Sequence, residues 1–294
     1  MDLQQLRYLD ALASEGHFGR AAAACHVSQP ALSTAIRRLE TEVGLRLVRR
    51  GQRFEGLTGE GERLLAWARA TLAAADGLQA EAAALRGTLG GTARIGAIPT
   101  VATSLGRLLA PFLAAHPAVT VGCETGPADA ILRGVQRHEL DAGLVYVDDP
   151  LPAGLRASEL YREELVLVTS HPSGAAVDGP IGWDELGGLD LCLLAPAMQN
   201  RQFVDRALEA AGVSVRARVE ADSVAALVDL GLHGSSCIVA RAWLDGRALP
   251  PSVHVRPLVR PVVAPAVGLV TLAGPVVSPR ARALLASFVD DRRA

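Results

Sequence analysis

The chain reads as an α/β protein in three unequal parts, and three observations point to it. Over residues 1–58 apolar side chains recur at helical spacing, with breaks at Gly16 and Ser28. Residues 59–86 keep one apolar stripe with no interruption stronger than Gly77. From Thr92 onward short apolar runs alternate with amphipathic stretches, the signature of repeated strand–helix units.

Each element of the first part follows from local chemistry. Leu6, Leu9, Leu12 and Ala13 form one face of a first helix, which Gly16 ends. Phe18, Ala21, Ala22 and Cys25 give a second, shorter face. Ser28 suits the N-cap of a third helix, with Pro30 in its first turn, where a missing N–H costs little. On that helix Ala31, Leu32, Ala35, Ile36 and Leu39 are expected to point inward, and Gln29, Ser33, Thr34, Arg37 and Arg38 outward. A short helix, a tight turn and a helix with amide, hydroxyl and guanidinium groups near its N-terminus is the helix-turn-helix layout. Glutamine can pair bidentately with adenine, and serine or threonine can reach bases or phosphates. Arg49, Arg50 and Arg53 follow as a basic wing. An ordinary three-helix subdomain with a solvated basic face fits the same pattern.

The runs Phe18-Gly19-Arg20-Ala21-Ala22, Ser28-Gln29-Pro30-Ala31-Leu32-Ser33, Ile36-Arg37-Arg38-Leu39-Glu40 and Gly44-Leu45 through Leu57-Thr58 resemble the winged helix-turn-helix of LysR-type transcriptional regulators. The resemblance covers the chain in length and layout and is most specific over residues 1–65. It implies that Ser28, Gln29, Pro30, Ser33, Thr34 and Arg37, with Arg50 and Arg53 of the wing, approach double-stranded DNA at an interrupted dyad promoter site. The position after Ser33 is often Arg or Gln in the family; Thr34 implies a different base preference or a weaker contact. The resemblance further implies a homodimer, usually paired into a tetramer, and RNA polymerase as a partner.

Composition narrows the alternatives. The 294 residues are enough for two or three domains with real cores, and half are hydrophobic, which argues against wholesale disorder. The formal charge is −2, but residues 1–57 carry +2 and the remainder −4, the asymmetry of a DNA-binding head on an acidic body. Cys25, Cys123, Cys192 and Cys237 stand singly, with no spacing that suggests a metal site. No secretory signal is evident and no apolar run reaches the ~18–20 residues of a membrane span, so a cytoplasmic protein with reduced thiols, no membrane association and no cofactor is expected.

In the second part, Thr58 caps a predicted helix over 59–86 whose Leu64, Ala68, Thr71, Ala75, Leu78, Ala82 and Leu85 alternate steps of four and three, a coiled-coil seam. Packing of that stripe within one chain is the alternative; a two-fold DNA site favours a two-fold protein. Gly87, Gly90 and Gly91 close the helix as a hinge.

The third part predicts strands at Ala93–Ile98, Val119–Glu124, Ala142–Val147, Leu165–Thr169, Leu189–Leu194, Val215–Glu220, Val255–Leu258 and Val267–Leu272. Helices are predicted at Val101–Ala115, Ala128–Arg137, Arg201–Ala211, Val224–Leu232 and from Pro279. The family's effector domain is a two-lobed, periplasmic-binding-protein-like α/β fold. The resemblance implies that residues 89–294 are its counterpart, with one lobe at about 92–163 and 268–294 and the other at about 164–267. In such folds ligands sit at strand carboxyl ends and helix N-termini. Thr100, expected to cap the helix after Pro99, and Met198, Gln199, Asn200 and Arg201 of the opposite lobe are placed to clamp a small carboxylate or similar anion, formate-like or a short metabolic acid. Thr125, Tyr146 and Ser223 lie at equivalent strand ends. Capping residues occur at every such helix, and Met198 could equally be packing.

Two further classes share parts of the pattern. A solute-binding protein would share the lobed body but not the head. An enzyme lacks support, because no GxSxG, P-loop or dinucleotide fingerprint is present and His116, His138 and His233 are isolated. Peroxide-sensing members of the family carry a reactive cysteine near the start of the helix after the Leu193-Leu194 strand. Here Arg201 is expected in that place, with Cys192 inside a buried strand.

Overall fold

The computed structural model describes residues 1–50, 54–170, 179–274 and 277–291. It divides into two compact units, residues 1–91 with 137–139, and residues 92–136 with 140–294.

The first unit opens with α1 (Leu3–Glu15), α2 (Phe18–Ala24) and α3 (Gln29–Val43). Asp2 and Gln5 form a capping box at the start of α1, and Gly16 ends it in the left-handed conformation. His17 caps α2 through Nδ1, and Ser28 caps α3 by accepting from the Ala31 amide. Leu6, Leu9, Leu12, Ala21, Ala22, Leu32, Ile36 and Leu39 are buried together. Ala31, expected to face inward, is exposed, because it falls in the first turn of α3 before the helix reaches the core. The wing is β1 (Val48–Arg50) antiparallel to β2 (Phe54–Leu57). Glu40 ties it to α3 by accepting from the Leu47 and Val48 amides at 3.0 and 3.2 Å. Phe54 meets Phe18 edge to face, 6.0 Å between ring centres.

Thr58 caps α4 (Gly59–Leu85), accepting from Gly61. The predicted seam divides. Leu64 and Ala68 turn toward the head core with Leu65 and Leu72, whereas Leu78 and Leu85 are exposed. Trp67, outside the predicted seam, is 74% exposed on the same helix. Gly77 does not interrupt α4.

The second unit contains two sheets. Its elements are β3 (Gly91–Ala97), α5 (Leu105–Ala115), β4 (Val119–Thr125), α6 (Ala128–Gln136), β5 (Ala142–Tyr146), β6 (Leu155–Arg162) and β7 (Leu165–Thr169). There follow β8 (Ile181–Gly182), β9 (Leu191–Leu194), α7 (Gln199–Ala210), β10 (Val219–Ala221), α8 (Val224–Leu232), β11 (Ser236–Ala240), β12 (His254–Val259), β13 (Ala266–Leu272) and α9 (Pro279–Asp291). One sheet has the order β4-β3-β5-β13-β6 and the other β10-β9-β11-β7-β12-β8. The chain therefore passes between sheets twice, between β6 and β7 and between β12 and β13. The Glu163 amide stitches these crossings by donating to the Pro265 carbonyl at 2.9 Å.

Two expectations about this unit need correction. The helix predicted from Val101 begins instead as a 3₁₀ turn over Pro99–Ser104 and becomes α-helical at Leu105. A proline followed by β-branched Thr100 and Val101 disfavours an α-helical first turn. The predicted strand Val215–Glu220 shrinks to Val219–Ala221, because these three residues alone pair with Cys192–Leu194. Sequence reading also missed β6, an edge strand of alternating charge, and β11, a short apolar run behind Gly234.

Candidate nucleic-acid interface and effector site

On the head, α3 presents Gln29, Pro30, Thr34, Arg37 and Arg38 to solvent, with Ser33 half-buried among them. Ser28 contributes its hydroxyl to the cap, which fixes the N-terminal turn that carries Gln29. A groove-reading helix needs such an end, firm in its backbone and unoccupied in its side chains. Arg49 is exposed on the wing; the side chain of Arg50, and Arg53 as a whole, lie outside the described residues.

In the body, the predicted ligand residues are brought together only in part. Tyr146, at the end of β5, is the hub. Its hydroxyl lies 2.5 Å from Glu163 Oε2, 3.0 Å from Thr100 Oγ1 and 2.9 Å from Asn200 Nδ2. All four side chains are about 3% exposed. A phenol has one proton, so with Glu163 ionised Tyr146 donates to the carboxylate and accepts from Thr100 and Asn200. Thr100 and Tyr146 come from the first sheet's lobe, Asn200 from α7 of the second, and Glu163 from the crossing between them. Tyr146 also packs edge to face on Phe203 of α7 at 5.1 Å. The Thr100 carbonyl accepts from Trp243 Nε1 at 2.7 Å, a second bond between the lobes.

Electrostatics mark Glu163. Burial raises its pKa from the usual 4.5 to about 7, against the lowering effect of hydrogen bonds from Tyr146 and Tyr161. Burial, then the nearby Glu163 charge, holds the Tyr146 phenol well above its ordinary range, so it stays protonated. Glu163 had no signal in the sequence beyond its place at the first crossing.

The remaining candidates part from this group. Thr100 caps neither the 3₁₀ turn nor α5. Arg201 is turned away: Nη1 donates to the Leu194 carbonyl and to Glu220, and Nε to Asp205, so the guanidinium pins α7 to β9 and β10. Its charge is thus met by two carboxylates of its own lobe, and it does not join the Tyr146 group. Met198 packs against the second lobe's core. Ser223 caps α8, and Thr125 is exposed at the end of β4; neither joins the Tyr146 group. Gln199 is the first residue of α7, and its Oε1 is buried without a partner among the described residues. The position expected for Arg201, at the start of this helix, thus belongs to Gln199. Cys192 and Cys237 are fully buried register partners on β9 and β11, and burial, then the neighbouring sulfur, pushes the Cys237 thiol up to about 12. The described residues contain no group of three or more side chains suited to hold a metal, and none of their helices is long and apolar enough to cross a membrane.

Comparison with known proteins fits both units. Residues 3–62 match the model for bacterial regulatory helix-turn-helix proteins of the lysR family, and residues 86–293 the LysR substrate-binding domain. A probable hydrogen peroxide-inducible genes activator of Streptomyces viridosporus is 36% identical over 79% of this chain and 75% of its own length. The HTH-type transcriptional regulator IlvR of Caulobacter vibrioides is 32% identical over 83% of each. Among solved structures, a full-length OxyR variant from Pseudomonas aeruginosa superposes with a TM-score of 0.80 at 28% identity, covering 100% of this chain and 95% of that one. CbnR complexed with its target DNA shares the fold at a TM-score of 0.69 and 24% identity, covering the whole of both chains. The chain therefore belongs to the LysR family of DNA-binding transcriptional regulators and carries that family's effector-binding domain.

Proposed function

We propose that this regulator reads an interrupted dyad in double-stranded DNA as a homodimer, itself able to pair into a tetramer. A small anionic effector between the lobes sets its activity. The observation that carries the effector reading is the Tyr146 hydroxyl, which gathers bonds from both lobes and from the crossing between them. A ligand that alters this junction alters the angle between lobes, and only a ligand with different affinity for the two arrangements can shift them. Thr100, Tyr146 and Asn200 already satisfy one another, so their part is to latch the lobes around the effector.

Gln29, Thr34 and Arg37 are assigned to base edges and neighbouring phosphates, Ser28, Pro30 and Ser33 to positioning the helix, and Arg50 and Arg53 to wing phosphates. Trp67, Leu78 and Leu85, each more than 70% exposed on α4, supply apolar area for a second copy. Thiol oxidation is a poorer account of signalling, because Gln199, Asn200 and Arg201 open α7 and Cys192 and Cys237 are sealed in a core.

The test is a melting-temperature screen of the full chain against small organic and inorganic anions, repeated with Thr100→Ala. A ligand that binds the folded state must raise the melting temperature, and the variant should respond less. If no anion stabilises the protein, while duplex binding still falls steeply with salt as counterion release requires, the effector half of the proposal fails and the DNA-binding assignment stands.

A further inference from the structure

Beside the closed Tyr146 group lies an open cavity of about 340 Å³. Its walls come from both lobes: Ser104 and Arg107 from the 3₁₀ turn and α5, and Trp243, Asp245 and Arg247 from the segment after β11. Two guanidinium groups and one carboxylate leave it net positive, and concave walls focus such a charge. Neither Arg107 nor Arg247 makes an ion pair among the described residues. Arg107 lies over the Tyr161 ring, 5.6 Å from its centre, and Arg247 donates Nε to the Trp243 carbonyl at 2.8 Å. Each arginine is thus held from one side with terminal nitrogens left over. That is the arrangement suited to a planar oxyanion.

The contrast with the neighbouring group matters. The Thr100–Tyr146–Asn200 cluster contains its own carboxyl group, Glu163, with no cation bonded to it among the described residues. Wherever Glu163 is ionised, a second carboxylate entering there would meet like charge in a dry site. The cavity offers the opposite sign a few residues away. It also communicates with the cluster: the Ser104 hydroxyl reaches Tyr161, and Tyr161 donates to Glu163 Oε1 at 3.5 Å.

We infer that this cavity is the effector site, taking a small organic carboxylate that bridges Arg107 of one lobe and Arg247 of the other. The inference rests on the reading of the chain as an effector-responsive regulator. The carboxylate joins cations from both lobes and so favours the arrangement that holds them together. Tyr161 and Ser104 carry the change to Glu163 and hence to the latch at Tyr146.

The probe is succinate, titrated into full-length Trp67→Phe protein, with sodium chloride at matched ionic strength as control. Trp67 is exposed on α4, so its replacement leaves Trp243 in the cavity wall as a fluorescent reporter beside buried Trp183. The expected result is saturable quenching or a wavelength shift with succinate beyond the salt control. Arg107→Gln and Arg247→Gln should each weaken it about tenfold or more, as loss of one charge-assisted hydrogen bond does. Both arginines are exposed, and unchanged melting temperatures without succinate would show that the variants fold. Thr100→Val should weaken it less than either arginine variant does, because it keeps the carbonyl that holds Trp243 and lacks only the hydroxyl bonded to Tyr146 in the latch. Loss in Thr100→Val with retention in both arginine variants overturns the inference and leaves the effector reading intact, the anion then binding at the latch. No succinate response in the parent also overturns it. In that case a different stabilising ligand in the anion screen would preserve the effector reading, and none would remove both.

Discussion

The head and the lobed body bury polar groups in different ways. Among the described residues, Gln5 is the one buried polar side chain in the head, tied to the Asp2 amide and to Glu42 at the start of the chain. The rest of that core is apolar, mostly aliphatic with Tyr8 among it and Phe18 and Phe54 packed against it. The body buries Thr100, Glu163 and Asn200 around a single phenol at the junction of its lobes. A polar cluster of that kind has more than one proton arrangement of similar energy, and its members couple in a low dielectric. An apolar core favours one fixed shape for the head, whereas a coupled polar junction is a place where one lobe arrangement can give way to another.

Breaking the head should have the largest effect. Gly61 sits where α4 crosses the wing, and a Cβ there would lie 2.1 Å from the Leu47 carbonyl oxygen. That oxygen already accepts from the Thr58 amide at 2.9 Å, so the backbone has little room to retreat. Gly61→Ala should cost about 3 kcal/mol or more by overpacking and abolish duplex binding for every sequence. Circular dichroism melts and duplex titration check this. An unaltered melt with normal affinity would show that the α4–wing contact is not fixed as described.

The body should answer to pH rather than to volume. Glu163 titrates near 7 in the folded chain against 4.5 ordinarily. An acid raised in this way favours folding while protonated. Its contribution is complete below about 4.5, fades as pH climbs, and is gone above about 7. The shift corresponds to roughly 3 kcal/mol, at about 1.4 kcal/mol per pH unit. Glu163→Gln imitates the protonated acid at every pH. The parent should therefore lose several degrees of melting temperature between mildly acidic and alkaline buffer, and the variant should keep them. Equal pH slopes in the two proteins would mean that Glu163 does not titrate near 7 in the folded chain.

A sharper and smaller test returns to the head. Gln29 is exposed at the first residue of α3. Gln29→Ala should weaken binding to the preferred duplex by about 1–3 kcal/mol and relax preference at one half-site position. Uniform weakening across sequences, read by competition titration, would reduce Gln29 to a positioning role.

What the sequence disclosed follows the same division. Caps, helix stops and the inward stripe of the head are local features, and Gly16, Ser28 and Thr58 act as their residue types dictate. In the body, strand–helix alternation was legible, yet the site was only half so. Thr100, Tyr146 and Asn200 could be placed at strand and helix ends, but Glu163 enters the group through a chain crossing that periodicity does not register. Arg201, a cation near a helix start, reads as an anion ligand in sequence, while its pairing with Glu220 is a tertiary feature that the sequence does not display. Arg107 and Arg247 stand far apart in sequence and acquire meaning only where the lobes meet.

The smallest expected effect concerns sulfur, and it tests whether the body senses a bound ligand or an oxidant. A reactive cysteine needs an accessible thiolate, and a lowered pKa supplies it. Cys123 is the exposed thiol here, yet partial burial and then Glu124 shift it upward, away from the thiolate. Cys25 shifts in the same direction through burial and Asp10. Mild hydrogen peroxide should therefore leave duplex affinity unchanged, and Cys123→Ser should match the parent with and without the oxidant. A peroxide-dependent change in affinity that disappears in Cys123→Ser, or in Cys192→Ala, would move signalling from the lobed cavity to a thiol and dissolve the contrast between a head that holds and a body that binds.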